Sequence, residues 1–372
     1  MKKILALILC VCMALTLVAC GTQEKPNTDG ADTTNTPAGE NTPAAEAEYK
    51  LGMGVVVSMD SSKAGNAQVD ATVATVVTDA EGKIVVCRID VAQNKMNVTD
   101  GAVDTALTFK TKMELGDDYN MAKHGKPNVE GGTVKEWYEQ TKAFEAYVVG
   151  KTAAEVKAIE TKEVNAHQIA VDEALLNAGC TMQITEFKDA VVKACEDAQG
   201  MSFKAVAGTF TLGVAAKSTA AESVAPTAEK DGTVAMYTDF AASVVVDGKI
   251  VATLNDAIQP KITVNTAGEV TPNEFKGTKR ELKEDYNMVK FGSNLDNNGD
   301  GKVLEWYVQS AAFSNYVVGK TGAEVAGMKT VAATQGSVGY MISADADLLA
   351  AGCTIQIGAI CAVVAQSVTN AR

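Results

Sequence analysis

The chain has 372 residues, of which 47% are hydrophobic and 5% aromatic, and its formal net charge is −13. This length is sufficient for two domains of ordinary size. An acidic surface repels nucleic acid and anionic lipid, so we expect no nucleic-acid partner.

The first 19 residues are predicted to be a lipoprotein signal peptide. Lys2 and Lys3 precede an almost wholly apolar run over residues 4–18, which is shorter than a membrane-spanning helix requires. The run ends in Leu-Val-Ala-Cys-Gly, which resembles the bacterial lipobox and implies cleavage before Cys20 and lipid attachment to its thiol. We therefore expect the protein at the cell membrane, lipid-anchored on the extracytoplasmic face. The alternative is a plain secretory signal with a coincidental cysteine.

The segment that follows, residues 20–48, is predicted to be a disordered tether. It is rich in Thr, Pro, Gly, Asn and Ala and shows no apolar periodicity. Such a segment cannot bury enough apolar surface to offset the entropy of ordering it. We expect it to hold the folded part away from the membrane.

One stretch occurs twice and divides the rest of the chain into two homologous modules. Residues 114–156 and 281–325 share the strings DYNM, EWY, YVVGKT and AEV in the same order. Self-similarity at one spacing indicates a duplicated unit. We predict two modules, residues 49–200 and 206–372, each of which folds separately.

Each module opens with strand signals. Runs rich in β-branched residues are separated by turn-forming residues, and the Asp-Gly pair at 247–248 is the strongest short hairpin signal in the chain. The expected strands are residues 51–59, 71–78 and 83–89 in the first module and residues 241–246 and 249–254 in the second.

Helices are expected after the strands. Thr133 and Glu136 have the spacing of a capping box, which predicts a helix that begins there and ends at Gly150. A second capping box begins at Thr152 and recurs at Thr321, which predicts a short helix in each module.

Each module closes with a Gly-Cys-Thr element, an apolar-Gln-Ile segment that is compatible with a short strand, and a further helix over residues 185–198 or 358–368. Strands followed by helices predict an α+β fold. Each module is expected to be a small antiparallel sheet packed with about three helices.

Two loop motifs resemble ligand sites but depart from them at important positions. The Gly-Lys-Thr triplet at 150–152 looks like the end of a phosphate loop, yet the required first glycine is Glu145, so a helix end and start is predicted. Asp296, Asn298 and Asp300 resemble the first half of a calcium loop that lacks its bidentate glutamate. A solvated turn and a weak calcium site both stay open there, and no metal site is predicted.

No catalytic constellation occurs in both modules. The only two histidines, His124 and His167, do not repeat, so we predict no enzymatic activity. Trp137 and Trp306 lie on apolar helical stripes and are predicted to be core residues. Five cysteines follow Cys20 without a Cys-x-x-Cys pair, which predicts buried free thiols.

The Gly-Cys-Thr element resembles a flavin-attachment motif. Residues 178–181 and 351–354 both read Ala-Gly-Cys-Thr, followed by an apolar residue, Gln and Ile. This is similar to the Ser-Gly-Ala-Thr-x-Thr-Ser motif in the FMN-binding domain of the Rnf and sodium-translocating quinone reductase flavoproteins. The opening hairpins, Asp-x-x-Gly-Lys-Ile-Val at 79–85 and Asp-Gly-Lys-Ile-Val at 247–251, are similar to the first hairpin of that domain.

In that family the motif's threonine takes FMN through a phosphoester. The resemblance therefore implies four cofactor-binding residues, namely Gly179, Thr181, Gly352 and Thr354. The first serine and the later Thr-Ser of the family motif are absent here.

Two functions are expected from these observations. The first is a surface-anchored lipoprotein of tandem modules that binds a small molecule, with FMN for extracellular electron transfer implied by the resemblance and a redox protein as partner. The alternative is a non-enzymatic cell-envelope structural or interaction lipoprotein without a cofactor. In both, the lipid anchor attaches the protein to the membrane.

Overall fold

The computed structural model describes residues 45–291, 302–334 and 340–372. The predicted signal peptide, Cys20, most of the predicted tether and the motif of Asp296, Asn298 and Asp300 lie outside the described residues. Within these ranges no helix has the length and apolar character needed to cross a membrane.

The first half, residues 45–208, contains a four-stranded antiparallel sheet in which the strands lie in the order β3 (Ile84–Asn97), β2 (Asn66–Thr78), β1 (Glu46–Ser58) and β6 (Met201–Val206). Gly52 lies opposite Val76, and Ala74 lies opposite Ile89. The predicted strands are present. β1 begins within the predicted tether, and β6 lies between the two predicted modules. In chain order the elements are β1 (Glu46–Ser58), β2 (Asn66–Thr78), β3 (Ile84–Asn97), α1 (Lys112–Leu115), α2 (Met121–His124), α3 (Trp137–Val148), α4 (Ala153–Lys157), β4 (Thr161–Val164), β5 (His167–Ala170), α5 (Glu173–Asn177), α6 (Thr185–Cys195) and β6 (Met201–Val206).

The second half, residues 209–372, has the main elements of the first half in the same order, with a three-stranded sheet of β10 (Lys249–Ile258), β9 (Tyr237–Val246) and β7 (Thr211–Thr219). It adds a second sheet of β12 (Val270–Pro272), β11 (Ile262–Val264) and β8 (Gly232–Val234), to which nothing corresponds among the described residues of the first half. Asp247 and Gly248 form the predicted hairpin turn, with φ angles of 48° and 77°. Its elements are β7 (Thr211–Thr219), β8 (Gly232–Val234), β9 (Tyr237–Val246), β10 (Lys249–Ile258), β11 (Ile262–Val264), β12 (Val270–Pro272), α7 (Lys279–Leu282), α8 (Met288–Phe291), α9 (Trp306–Tyr316), α10 (Gly322–Ala326), β13 (Thr330–Ala332), β14 (Met341–Ser343), α11 (Ala346–Ala350) and α12 (Gly358–Thr369). The fold class is α+β, as predicted.

Two sequence-based element predictions are wrong. The first long helix begins at Trp137 and not at the capping box predicted at Thr133. The Glu136 carboxylate, which that box would bond to the Thr133 backbone, accepts instead the backbone N–H groups of Met121 and Ala122, at 2.9 and 3.1 Å. The apolar-Gln-Ile segments form no strand, because each runs directly into the helix that follows it.

Other end signals are confirmed. Thr152 and Thr321 cap α4 and α10 in capping boxes with Glu155 and Glu324. Gly150 has the left-handed φ of +82° that a helix C-terminus favours.

The apolar core is divided into three clusters, and the central one is shared by the two halves. One face of each sheet lines this central core, which includes Leu51 and Val73 from the first half and Leu212 and Phe240 from the second. The opposite face of the first sheet packs on α3 and α6, and that of the second sheet packs on α9 and α12. All described residues belong to one compact unit.

The last helix of each half lies unusually close to the first strand of its sheet. A Cβ on Gly52 of β1 would lie 2.0 Å from the backbone oxygen of Ala194 on α6. A Cβ on Gly213 of β7 would lie 1.9 Å from the backbone oxygen of Ser367 on α12. Glycine is therefore required at both points, and the close approach is repeated with the fold.

Buried ionic contacts connect the two halves. Arg280 donates to the Asp197 carboxylate at 3.0 Å, and both side chains are less than a tenth exposed. Arg372 donates to the buried Glu145 carboxylate at 2.8 Å, and the Arg88 guanidinium lies 3.8 Å from the same oxygen. Burial raises the pKa of Glu145, whereas the Arg372 and Arg88 guanidinium groups lower it.

Candidate ligand-binding site

A cavity of about 740 Å³ opens in the first half, between the sheet and the segments that connect its helices. Its size lies within the range of small-molecule sites. Val56, Thr72 and Val91 of the three long strands contribute to one side of it. Further lining residues come from α1, α2, the start of α3, β5 and the segment that leads into α6.

The Gly-Cys-Thr element brings Thr181 to this cavity. Gly179 has a φ of +98°, which lets the chain turn sharply after α5 so that Cys180 enters the core and Thr181 lines the cavity. Burial raises the pKa of the Cys180 thiol to about 12, so it is not a nucleophile at neutral pH. The positive φ is what favours glycine at 179, since the atom that a Cβ would meet there at 2.4 Å is the end of the flexible Lys135 side chain.

The second half builds the same turn but encloses its threonine. Gly352 has a φ of +93°, and burial raises the pKa of the Cys353 thiol to about 12. Thr354 is 5% exposed, and its hydroxyl donates to the side-chain oxygen of Gln309 at 3.1 Å. Of the two predicted attachment residues, Thr181 is the one that lines the cavity.

A buried glutamine that the sequence-based predictions missed positions each Gly-Cys-Thr element. The side-chain oxygen of Gln140 accepts the Thr181 backbone N–H at 2.9 Å, and its amide donates to the Lys135 backbone oxygen at 2.8 Å. Gln309 makes the equivalent bonds to the Thr354 N–H and the Leu304 oxygen, both at 2.7 Å. The sequence feature that could have identified this residue is the recurrence of glutamine three positions after each tryptophan.

A lysine lies over two aromatic rings in both halves. The Lys112 ammonium is 5.0 Å from the ring centre of Tyr119 and 5.5 Å from that of Trp137, and all three residues line the cavity. In the second half, Lys279 lies 5.2 Å from the rings of both Tyr286 and Trp306. Such cation–π contacts orient the ammonium without neutralising its charge.

Both tryptophans are core residues, as predicted. Trp137 is 3% exposed and packs edge-on against Phe187, with ring centres 5.8 Å apart. Trp306 is 5% exposed and belongs to the core of the second half. Trp137 has a second role that its position on an apolar helical stripe did not indicate, because it also lines the cavity.

The only two histidines of the chain also line this cavity. His124 ends α2 and His167 begins β5, and both are exposed. Neither histidine repeats, so the duplicated pattern in the sequence did not single them out. They join a site whose other residues, such as Lys112 and Trp137, do have counterparts in the second half.

Carboxylates are present in the cavity but are engaged by neighbouring amides. Glu186 accepts the side-chain amide of Gln183 at 2.9 and 3.0 Å, and Oδ2 of Asp70 accepts that of Gln68 at 2.7 Å. The other oxygen of Asp70, Oδ1, is buried without a hydrogen-bond partner. Among the described residues no group of three or more His, Cys, Asp or Glu side chains could hold a metal ion. The cavity combines an aromatic and aliphatic wall with cationic, hydroxyl and amide groups, which suits an organic ligand with a polar end.

The described cysteines are free thiols, and Cys87, Cys180, Cys353 and Cys361 are buried. The prediction of buried thiols is thereby confirmed for four of the five. No family model, curated protein or solved structure matches the chain.

Proposed function

We propose that this protein is a non-enzymatic small-molecule-binding lipoprotein, anchored through Cys20 on the extracytoplasmic face of the cell membrane. The cavity that contains Thr181 carries this proposal. It has the volume of a ligand site, an aromatic wall and a lysine held in place over two rings. The ligand is held in the first half.

FMN is the candidate ligand that the Gly-Cys-Thr resemblance favours. Attachment of FMN is sterically possible at Thr181, because its hydroxyl lies beside the cavity and makes only a long hydrogen bond of 3.4 Å to Gln140. Tyr119 and Trp137 supply aromatic surface, and Lys112 supplies positive charge. When bound, FMN would supply reversible electron transfer, and the protein's part is to orient the ring and keep water from it. The fit is poor at Thr354, which is buried, so we propose one flavin per chain.

Intact mass and visible absorbance of protein made with a competent flavin transferase test the FMN proposal. We expect one FMN addition in the unmodified chain, none in Thr181→Val and one in the matched control Thr354→Val. Colourless protein of plain mass that also fails to bind free FMN would contradict the flavin proposal. Protein that binds no small molecule in the cavity would favour the alternative of an envelope structural lipoprotein.

Cell fractionation tests the anchor. Cys20→Ala should move the protein from the membrane fraction to the medium, because the lipid provides the attachment. Retention in the membrane fraction at high salt would place the attachment elsewhere.

A further inference from the structure

The segment between α2 and α3, residues 125–136, forms an outer wall of the cavity, and we call it the strap. It contains no helix or strand, and none of its residues is buried. Gly125, Lys126, Asn128 and Val134 nevertheless line the cavity. A segment that lines a cavity and is itself exposed or half-buried along its whole length separates that cavity from solvent.

The strap is weakly connected to the rest of the molecule. Among the described residues, its positions 126–135 make one backbone–backbone hydrogen bond, from the Gly132 N–H to the Val129 oxygen, and this bond lies within the strap. Neither Val129 nor Val134 belongs to the three apolar clusters. Segments without a backbone ladder and without buried apolar contacts open at a small fraction of the free energy of global unfolding.

The side chain of Asn128 connects the strap to two other parts of the cavity rim. Its amide donates to the Thr181 backbone oxygen at 2.9 Å. Its oxygen accepts the side-chain amide of Asn165 at 3.0 Å, in the turn between β4 and β5. Asn128 therefore joins the strap both to the β4–β5 hairpin and to the residue predicted to carry FMN.

The end of the strap is fixed more firmly than its middle. The Lys135 ammonium donates to the Ala178 backbone oxygen at 3.1 Å, and the Lys135 backbone oxygen accepts the Gln140 amide at 2.8 Å. From residue 126 to residue 134, the side-chain hydrogen bonds among the described residues are those of Asn128. Breaking the bonds of this one side chain therefore releases the middle of the strap.

We propose that the strap is the gate of the cavity and that Asn128 is its latch. Opening breaks the bonds of Asn128 to Thr181 and Asn165 and uncovers the cavity, and their re-formation encloses the ligand and keeps water from it. This inference rests on the proposed ligand-binding function and adds how the ligand enters and is retained.

Quenching of Trp137 fluorescence by acrylamide tests the gate without any ligand. The measurement uses the full chain with Trp306→Phe, so that Trp137 is the one fluorescent indole. Trp137 lines the cavity and is 3% exposed, so the quencher reaches it when the strap opens. Asn128→Ala should raise the quenching rate constant about 2- to 10-fold, the change in an opening equilibrium that one neutral hydrogen bond produces. The melting temperature should stay the same, because the strap buries no residue.

Two substitutions divide the latch into its separate bonds. Asn128→Asp keeps an oxygen for Asn165 but has no N–H for Thr181. Asn165→Gly removes the other bond and keeps the positive φ of 52° that the turn requires. Each should raise quenching less than Asn128→Ala does. Asn177→Ala removes an exposed asparagine of α5, outside the strap, and as the control should leave quenching unchanged.

Stopped-flow binding of FMN, with protein made without a flavin transferase, tests the gate in the presence of a ligand. Asn128→Ala should raise the association and dissociation rate constants by the same factor of about 2 to 10. The Kd should stay nearly constant, because the latch is closed both before and after binding.

The outcomes separate the gate from the binding function. Unchanged quenching in Asn128→Ala, or unchanged rate constants with FMN still bound, would overturn the gate and leave the binding function intact. Raised quenching in a chain that binds no FMN would support the opening of the strap and contradict the FMN proposal. Raised quenching with a matching fall in melting temperature would show global unfolding and overturn the gate.

Discussion

The two halves of this protein repeat the same local devices but surround them differently. Each has a close helix–strand contact at a glycine, a lysine over two rings and a glutamine that holds the Gly-Cys-Thr turn. In the second half, Thr354 is enclosed. In the first half, the equivalent Thr181 lines a cavity.

This comparison shows which residues the halves share and which belong to the first half alone. Lys112, Trp137, Gln140 and Thr181 have counterparts that make the same local contacts, and in the first half they also line the cavity. His124 and His167 line the same cavity, and the second half has no histidine. The candidate site therefore combines repeated residues with residues of its own.

The largest expected effect follows from separating the halves. The sequence alone predicts that each folds by itself, whereas the central core draws its apolar residues from both sheets. Each half alone would expose one whole face of its sheet, and the lost burial is worth about 25 cal/mol per Å². We expect residues 45–208 and 209–372 to lack cooperative unfolding alone and to regain it when mixed. Cooperative melting of either half alone, followed by circular dichroism, would contradict a shared core.

The next largest effect is expected at the buried contact between the halves. Asp197→Ala leaves the Arg280 guanidinium buried without its partner, which costs about 3–5 kcal/mol. The neighbouring pair of Lys193 and Glu281 also joins the halves but is about half exposed, so Lys193→Ala should cost about 1 kcal/mol or less. Urea unfolding measures both, and equal losses would show that burial does not control these contacts.

A pH dependence of moderate size is expected from two equivalent carboxyl groups. Burial raises the pKa of Asp90 to about 7 and that of Asp256 to about 6. The folded state favours the protonated form of each carboxyl, and this preference adds to the free energy of unfolding. The added stability is fully present below the carboxyl's pKa in the unfolded chain and is lost as pH rises through its pKa in the folded protein. Stability should fall by about 2 kcal/mol between about pH 5 and pH 7 on account of Asp90.

Asparagine substitutions separate the two contributions. Asp90 accepts the N–H groups of Val91 and Met113, at 2.7 and 3.1 Å, and an asparagine oxygen can accept the same bonds. Asp90→Asn should therefore reduce the fall of the unfolding free energy with pH up to about pH 7, and Asp256→Asn should reduce it only up to about pH 6. A profile that neither substitution changes would contradict the assignment.

The smallest expected effect compares the two threonines. Thr354→Val removes a buried hydroxyl that bonds to Gln309 at 3.1 Å, which should cost about 1 kcal/mol. Thr181→Val removes a hydroxyl beside the cavity whose hydrogen bond to Gln140 is 3.4 Å long, so this substitution should lower the free energy of unfolding by only about a few tenths of a kcal/mol. Equal costs in thermal unfolding would mean that the Thr181 hydroxyl stabilises the fold as much as its counterpart does.

Local signals in the sequence predicted much of the scaffold. The Asp-Gly turn at 247–248, the capping boxes at Thr152 and Thr321, and the α+β class follow from rules that act over a few residues. The capping box at Thr133 failed because a distant segment recruits the Glu136 carboxylate. The spacing of residues along the chain cannot show that another segment will donate hydrogen bonds to the same carboxylate.

The site was less predictable for the same physical reason. Thr181 was found through its motif, but the enclosure of Thr354 depends on packing that the shared Gly-Cys-Thr motif does not encode. The cavity position of His167 depends on how β5 folds beside α6, which no local pattern expresses. The shared central core likewise depends on the pairing of two sheets far apart in sequence.

The central claim, that the first half alone holds the ligand, is tested most directly by the two indole N–H signals in a nitrogen–proton correlation spectrum. The chain has two tryptophans, and Trp137→Phe and Trp306→Phe assign their signals. During a titration with FMN, we predict a progressive shift of the Trp137 signal, because Trp137 lines the cavity, and a constant Trp306 signal. A shift of the Trp306 signal equal to that of Trp137, or no shift of either at saturating FMN, would contradict this account.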